Sequence, residues 1–261
     1  MHSTMGGILH AKYFVVDRRE AYVGSQNLDY RSLEHIQEMG VRVTSAALAG
    51  QLDDLFGADW DVVGGAPVSR YASGWHGPVH TRASGGLDVW LGASPRGWLP
   101  DEAMWELTAL LRWIDGATRT IDVQLLTYKP AMRDGSPFRD LDDAIRRAAG
   151  RGVQVRLLVS SWGAKDEGLS KLAHDLHPPS EVRILTIPAW SGGDIPFARV
   201  AHAKYAVFDG SRAWVGTSNW EGDYFLKSRN VSVFVEGAPF ATPLDGVFTD
   251  GWGSKYAAPL P

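Results

Sequence analysis

One stretch of this chain occurs twice. Residues 10–27, HAKYFVVDRREAYVGSQN, and residues 202–219, HAKYAVFDGSRAWVGTSN, are identical at ten of eighteen positions and align without a gap, 192 residues apart. The same register continues downstream. Glu38 falls on Asn230, Val43 on Val235, and Leu52, Phe56 and Trp60 on Leu244, Phe248 and Trp252. Self-similarity at a fixed offset marks a duplicated structural unit rather than one short motif.

Each copy reads as a β-hairpin. AKYFVV and AKYAVF are β-branched and aromatic runs stopped by a turn, and AYVGS and AWVGT return from it. Side chains two apart on extended chain share a face, so His10 points with Lys12 and His202 with Lys204. Asp17 and Asp209 fall at the turns and are expected to cap them. LDDLFGADW and LDGVFTDGW carry helical apolar spacing and should pack as the last helix of each unit.

Residues 64–86 are rich in Gly, Pro and Ser and read as a linker between residues 1–63 and 87–261. After it, strands and helices alternate from LDVWLGAS to EVRILTIP, which specifies an α/β class with a parallel or mixed sheet. The second unit begins about 115 residues before His202, whereas nine residues precede His10. The expectation is two pseudosymmetric α-β-α sandwich lobes, the first N-terminally truncated.

The two copies fit H-x-K-x4-D-x6-G-[ST]-x-N, with a chance frequency on the order of 10⁻⁷ per window for one copy. This pattern resembles the HKD motif of the phospholipase D superfamily. GGILHAKYFVVD, GSQNLDYRSL, RGVQVRLLVSSWG, IPFARVAHAKY and GTSNWEGDYF are similar to the phospholipase D3/D4-type branch and its bacterial relatives. The cysteines of the lumenal animal members are absent, which with the Ala/Gly/Arg/Asp-rich composition points to the bacterial side.

The resemblance implies phosphodiester cleavage through a phosphohistidine, without metal or other cofactor. One histidine attacks phosphorus, and the other protonates the departing alcohol and then activates water. Lys12, Lys204, Asn27 and Asn219 are expected to offset the charge of the non-bridging oxygens. In the superfamily an acidic residue near Glu38 orients a motif histidine. The expectation is therefore His10 as nucleophile, oriented by Glu38, and His202 as acid, with Asn230 in the matching place. Ser25, Thr217 and Ser218 either contact phosphate or satisfy the turn.

The resemblance implies a phospholipid or single-stranded DNA or RNA as substrate. Several tryptophans and no amphipathic membrane helix favour nucleic acid, with peripheral membrane contact as the lipid alternative. Burial is the default for Trp162, Trp190, Trp214, Trp220 and Tyr224. Trp190, in a Gly/Pro-broken loop leading to His202, is the first candidate to touch substrate, and Trp220 the second. Arg199, Lys227 and Arg229 are candidates for a basic rim. His2, His76, His80, His174 and His177 lack metal spacing and read as surface residues.

The net charge of −4 announces no global basic field, and the absence of cysteine excludes disulfides and thiolate metal sites. No signal peptide or apolar membrane span is legible. Lysine and asparagine are poor metal ligands, and no G-x4-GK[ST] loop is present. The non-enzymatic alternative is a truncated chain that serves only as a binding module. Compartment and oligomeric state are not legible.

Overall fold

The computed structural model describes residues 5–72 and 81–260. The surface positions expected for His2, His76 and His80 lie outside the described residues, while His174 and His177 are exposed as expected.

The first unit runs β1 (Tyr13–Val16), β2 (Glu20–Gly24), α1 (Tyr30–Glu34), β3 (Gly40–Thr44) and α2 (Ala46–Val63). The second runs β4 (Thr81–Ala83), β5 (Leu87–Ser94), α3 (Glu106–Asp115), β6 (Thr120–Leu125), β7 (Tyr128–Lys129) and α4 (Asp140–Gly150). It continues with β8 (Gln154–Ser160), α5 (Glu167–Asp175), β9 (Glu181–Leu185), β10 (Tyr205–Phe208), β11 (Arg212–Gly216) and β12 (Trp220–Glu221). The chain closes with α6 (Gly222–Leu226), β13 (Asn230–Glu236), α7 (Ala238–Trp252) and β14 (Ala257–Pro259).

The repeat is visible in the backbone. β1, β2 and α1 coincide at both ends with β10, β11 and α6 when shifted by 192 residues. Register is kept too: Tyr13 pairs Val23 as Tyr205 pairs Val215, and Ala21 pairs Val43 as Ala213 pairs Val235. The surroundings differ. β1–β3 form an antiparallel three-stranded sheet backed by α2, whereas β10–β11–β13 sit inside a nine-stranded sheet of order β14-β9-β8-β6-β10-β11-β13-β5-β4. That sheet is mixed, as expected: β6, β8 and β9 are parallel, and β10 joins β6 antiparallel.

Three apolar layers hold these parts together. One face of the large sheet, with Val123, Phe208 and Phe234, packs under α3, α4 and α5 through Leu110, Ile145 and Leu172. On the other face, α7 covers Val207 and Val215 with Leu244 and Phe248. The first unit covers the rest. Val231, Val233 and Val235 of β13 recur every second residue and meet Val23, Val43, Leu48 and Leu52. Each such buried side chain contributes about 1.5–3 kcal/mol. Residues of both units therefore share one apolar cluster.

The expected linker carries more structure than its composition suggested. Residues Val68–Ala72 form a 3₁₀ turn, and β4 adds an edge strand to β5. Tyr71 is buried, and its hydroxyl donates to Asp59 of α2 at 2.6 Å. A three-residue edge strand is too short for composition to reveal.

Candidate active site

The motif histidines and lysines lie just upstream of β1 and β10, on extended chain that each unit lends to the other. His10 N–H donates to Arg229 O at 2.9 Å, and Arg229 N–H donates to Ile8 O at 3.0 Å. Shifted by 192 residues, the pattern recurs with the units exchanged. His202 N–H donates to Gln37 O at 2.8 Å, and Gln37 N–H donates to Val200 O at 3.0 Å. Residue i of one unit touches residue j of the other, and the reverse holds, as across a two-fold axis. The duplicated hairpins are thereby set head to head.

Within each copy, Lys12 Nζ donates to His10 O and Lys204 Nζ to His202 O, both at 2.6 Å. The lysines are thus held on the histidine's side of the chain, as the two-residue spacing requires.

The exchange of partners extends to the rings and corrects the expected pairing. Glu38 does not touch His10. Its carboxylate lies 2.9 and 3.0 Å from Nδ1 of His202. His10 Nδ1 instead lies 2.9 Å from Asn230 Oδ1. The physical reason is the crossed contact: residues 37–39 lead into β3 along the edge where the other unit's residues 200–203 run, as shown by the bridge between Gln37 and Ala201.

Both partners are fixed in orientation. Asn230 Nδ2 donates to Tyr224 O at 2.8 Å, and Asn230 Oδ1 accepts from Thr217 Oγ1 at 2.9 Å. The amide oxygen therefore faces His10, whose Nδ1 must carry the proton, leaving Nε2 with a free lone pair. Glu38 accepts from the hydroxyl of Ser25, which in turn accepts from Met39 N–H at 3.0 Å. Ser25 and Thr217, which occupy equivalent motif positions, thus brace the residue that holds the other unit's histidine.

Electrostatics separates the two histidines. Burial pushes His10 down to about 2, helped by the charges of Lys12 and Lys204, and the Asn230 bond opposes only weakly. Burial also lowers His202, but there the Glu38 bond and charge work against the shift. Lys12 is lowered by burial to about 8, and Lys204, fully buried, is held well below its ordinary value by the same cause. The four groups lie within one another's electrostatic reach, and the Glu38 carboxylate opposes the lowering of His202 and of both lysines.

The other expected positions divide. Asn219 is buried, and its Oδ1 has no hydrogen-bond partner among the described residues, whereas Asn27 is exposed. Asp209 does not cap its own turn: it accepts from the backbone N–H of Thr118, Arg119 and Thr120, at the start of β6, at 2.7–3.2 Å. Burial opposes ionisation of Asp209, but these bonds hold it below its ordinary value. Asp17 sits exposed at the matching turn, and both aspartates take positive φ, 51° and 55°.

Ser218 faces away from the histidines and donates to Glu106 at 2.5 Å. Glu106, on the first turn of α3, is fully buried and pushed up by burial toward its neutral form. Sequence reasoning missed it, because a lone glutamate in an acidic helix start reads as a dipole partner.

Trp220 is corrected. It is 1% exposed, packed in the core at 6.3 Å from Trp214, and cannot meet a substrate. Trp214 is buried by default expectation, but Trp162 and Trp190 are half exposed. Tyr224, half-buried, stands edge-on to His10 at 4.8 Å. Arg229 is not a rim cation: it is fully buried and paired to Asp59 at 2.9 Å. Lys227 lies 3.6 Å from Asp223, and Arg199 donates to Pro188 O. Among the described residues, no group of three His, Cys, Asp or Glu side chains is placed to hold a metal ion, and no helix is long and apolar enough to cross a membrane.

Comparison with known proteins gives the same picture. The family described as "PLD3/4, PLD-like domain" matches residues 2–177, and "Cardiolipin synthase, PLD-like domain" matches residues 110–252. Phospholipase D Z of Dictyostelium discoideum is 32% identical over 97% of this chain and 64% of its own length. The 5'-3' exonuclease PLD3 of Bos taurus is 33% identical, and PLD4 of Mus musculus 34%, each over all of this chain and 58% of its own length. The chain thus spans less than two thirds of these relatives. Among solved structures, the phosphatidylserine synthase of Haemophilus influenzae superposes with a TM-score of 0.66 at 13% identity, over 98% of this chain and 64% of the other. NucT of Helicobacter pylori gives 0.55 at 16% identity, over 66% of this chain and 99% of the other, so the fold is shared. Duplicated motif, fold and relatives agree, and the chain belongs to the phospholipase D superfamily, in its PLD3/4 branch.

Proposed function

We propose that the chain hydrolyses phosphodiesters through a phosphohistidine, with His10 as nucleophile and His202 as acid and then base. The observation that carries this is the crossed pairing of the rings: Asn230 on His10, Glu38 on His202. A neutral ring with Nδ1 protonated presents the Nε2 lone pair, which is what attack on phosphorus requires. A carboxylate at Nδ1 supports the imidazolium form, which is what protonation of a leaving oxygen requires. The role split expected from sequence is retained, but Glu38 now serves the acid.

His10 Nε2 forms a bond to phosphorus while the bond from phosphorus to the departing oxygen breaks. His202 Nε2–H gives its proton to that oxygen. Water then loses a proton to His202 and attacks phosphorus, and the P–N bond returns its pair to His10. Lys12 and Lys204 carry the positive charge that faces the non-bridging oxygens throughout. A bound diester anion raises the affinity of both lysines for their protons, so substrate charges the site that burial had disfavoured. Buried Asn219 adds a carboxamide.

The relatives named as 5'-3' exonucleases favour single-stranded nucleic acid as the diester. The test is turnover, in EDTA, of bis(p-nitrophenyl) phosphate, 5′-hydroxyl oligothymidylate and phosphatidylcholine vesicles, by the chain and by its His10→Ala and His202→Ala variants. Histidine-dependent turnover resistant to EDTA is expected, with the oligonucleotide preferred. A folded chain inert on all three would support the binding-module alternative instead.

A further inference from the structure

The pseudo-two-fold arrangement that builds the site is broken at its rim. The loop between β9 and β10, residues 186–204, delivers His202, and its aromatic side chains stay in solvent. Trp190 is 44% exposed and Phe197 73%, with Trp162, at the end of β8, at 50%. They form two neighbouring pairs: Trp162 stands edge-on to Phe197 at 6.5 Å, and Trp190 lies 5.0 Å from His35. Tyr30, also exposed, extends the second pair at 6.4 Å from His35.

This display is built rather than incidental. Phe197 holds φ at +60°, a left-handed conformation uncommon for a bulky residue, while its ring remains exposed. Gly192 backs the indole of Trp190 so closely that a Cβ there would lie 2.4 Å from a ring atom. The loop is tied to the other unit by Arg199 N–H donating to His35 O at 3.0 Å, and to itself by Arg199 Nε on Pro188 O at 2.8 Å. The rings are thus fixed to the backbone that carries His202.

Among the described residues, the repeat does not carry two of these side chains across. The position related to His35 by the repeat is Lys227, and that related to Phe197 is Met5, which is buried. The space on the His10 side is a cavity of about 250 Å³ lined by Gly6, Gly7, Arg133 and Lys227 among others. The described lining is therefore aromatic on the His202 flank and polar in this cavity.

We infer that Trp190, Phe197, Trp162 and His35 form a stacking subsite for the bases of a single strand, on the side of the scissile bond that departs. This rests on the phosphodiesterase reading. His202 protonates the departing oxygen, so the flank attached to His202 faces the departing portion. Aromatic rings on the loop that leads to His202 and the buried Lys204 match what a strand offers, a planar base next to an anionic backbone. Stacking of this kind is indifferent to base identity.

The test measures the affinity of the His10→Ala chain for octathymidylate and for an abasic octamer of the same backbone, by fluorescence anisotropy at one salt concentration. Trp190→Ala and Phe197→Ala should each weaken octathymidylate about 5- to 100-fold and leave the abasic octamer within about two-fold. Thermal melting checks that the variants fold. In the His10 chain, an abasic residue on the departing side of the cleaved bond should lower kcat/KM as far as Trp190→Ala does, and one on the phosphate-retaining side should not. Equal losses on intact and abasic octamers, or no loss on either, would overturn the subsite. So would an equal loss on phosphatidylcholine vesicles. Turnover of bis(p-nitrophenyl) phosphate without Trp190-dependent binding would overturn the subsite alone. Trp190-dependent binding without any turnover would overturn the catalytic reading instead.

Discussion

Replacing Glu38 by Gln tests the crossed pairing directly. The substitution removes one negative charge 2.9 Å from His202 Nδ1 and keeps the volume. Ser25, which donates to Glu38 and is anchored to Met39, retains a bonding partner in the amide. Full unit charges about 4 Å apart are worth about 4 kcal/mol at an effective dielectric of ~20. A charge-assisted hydrogen bond is worth about 2–3 kcal/mol net, and this smaller figure is the relevant one, since the neutral amide still bonds the ring. The pKa of His202 should fall by the equivalent of that energy. The protonated fraction at neutral pH then falls about 30- to 100-fold.

The consequence depends on the leaving group. A p-nitrophenolate departs without a proton, so the first step on bis(p-nitrophenyl) phosphate should barely slow, whereas release of an alkyl alcohol should slow by the full 30- to 100-fold. Phosphoenzyme should accumulate on the aryl substrate, because His202 also activates water in the second step. Stopped-flow absorbance would show a burst of nitrophenolate, and alkali-stable label would map to His10. Equal slowing of burst and alkyl release would refute the assignment of Glu38 to the acid. Label that persists in His10→Ala and disappears in His202→Ala would reverse the two roles.

Lys12 has a folded value of about 8 against an ordinary 10.5. Between these values the unfolded chain binds more protons, so this group's contribution to stability rises with pH while activity falls as the site loses charge. Lys12→Met should therefore be inactive yet more stable by about 1–3 kcal/mol, read from urea midpoints at pH 7 and pH 9. Asp209→Ala strands three backbone N–H groups and should cost about 2–3 kcal/mol in urea unfolding, whereas Asp17→Ala, exposed at the matching turn, should stay within about 0.5 kcal/mol. Asp59→Ala leaves the buried Arg229 guanidinium without its carboxylate and should cost about 3–5 kcal/mol; because Arg229 O also receives His10 N–H, the same variant should lose turnover before it loses secondary structure, as followed by activity and circular dichroism along one melt.

Much of this molecule was legible before any coordinates. Periodicity located β5 at Leu87–Ser94 to the residue, because a buried strand with a turn at each end leaves few alternatives. The repeat located the hairpins, and the two-residue spacing put each motif lysine on the side of its histidine. Trp220 was not legible. It stands beside Asn219 in the motif segment, yet β12 pairs with β7 and turns the indole into the core. Trp162 erred in the other direction, because exposure at the end of a strand leaves no periodic trace. Glu106 was hidden for a third reason: the burial that raises it depends on helix α3 lying against β5 and β13, which carry Ser94 and Ser232.

Sequence alone thus determined the duplicated unit, its hairpin and the residue types of the two motifs, since these depend on identity and spacing along the chain. Only tertiary structure decided which partner each histidine has. Glu38 follows His10 by 28 residues and lies 164 from His202, yet it bonds His202. The two units meet head to head, and the motif histidine of each is held by a side chain from the other. Chain separation carries no information about contacts made across such an axis.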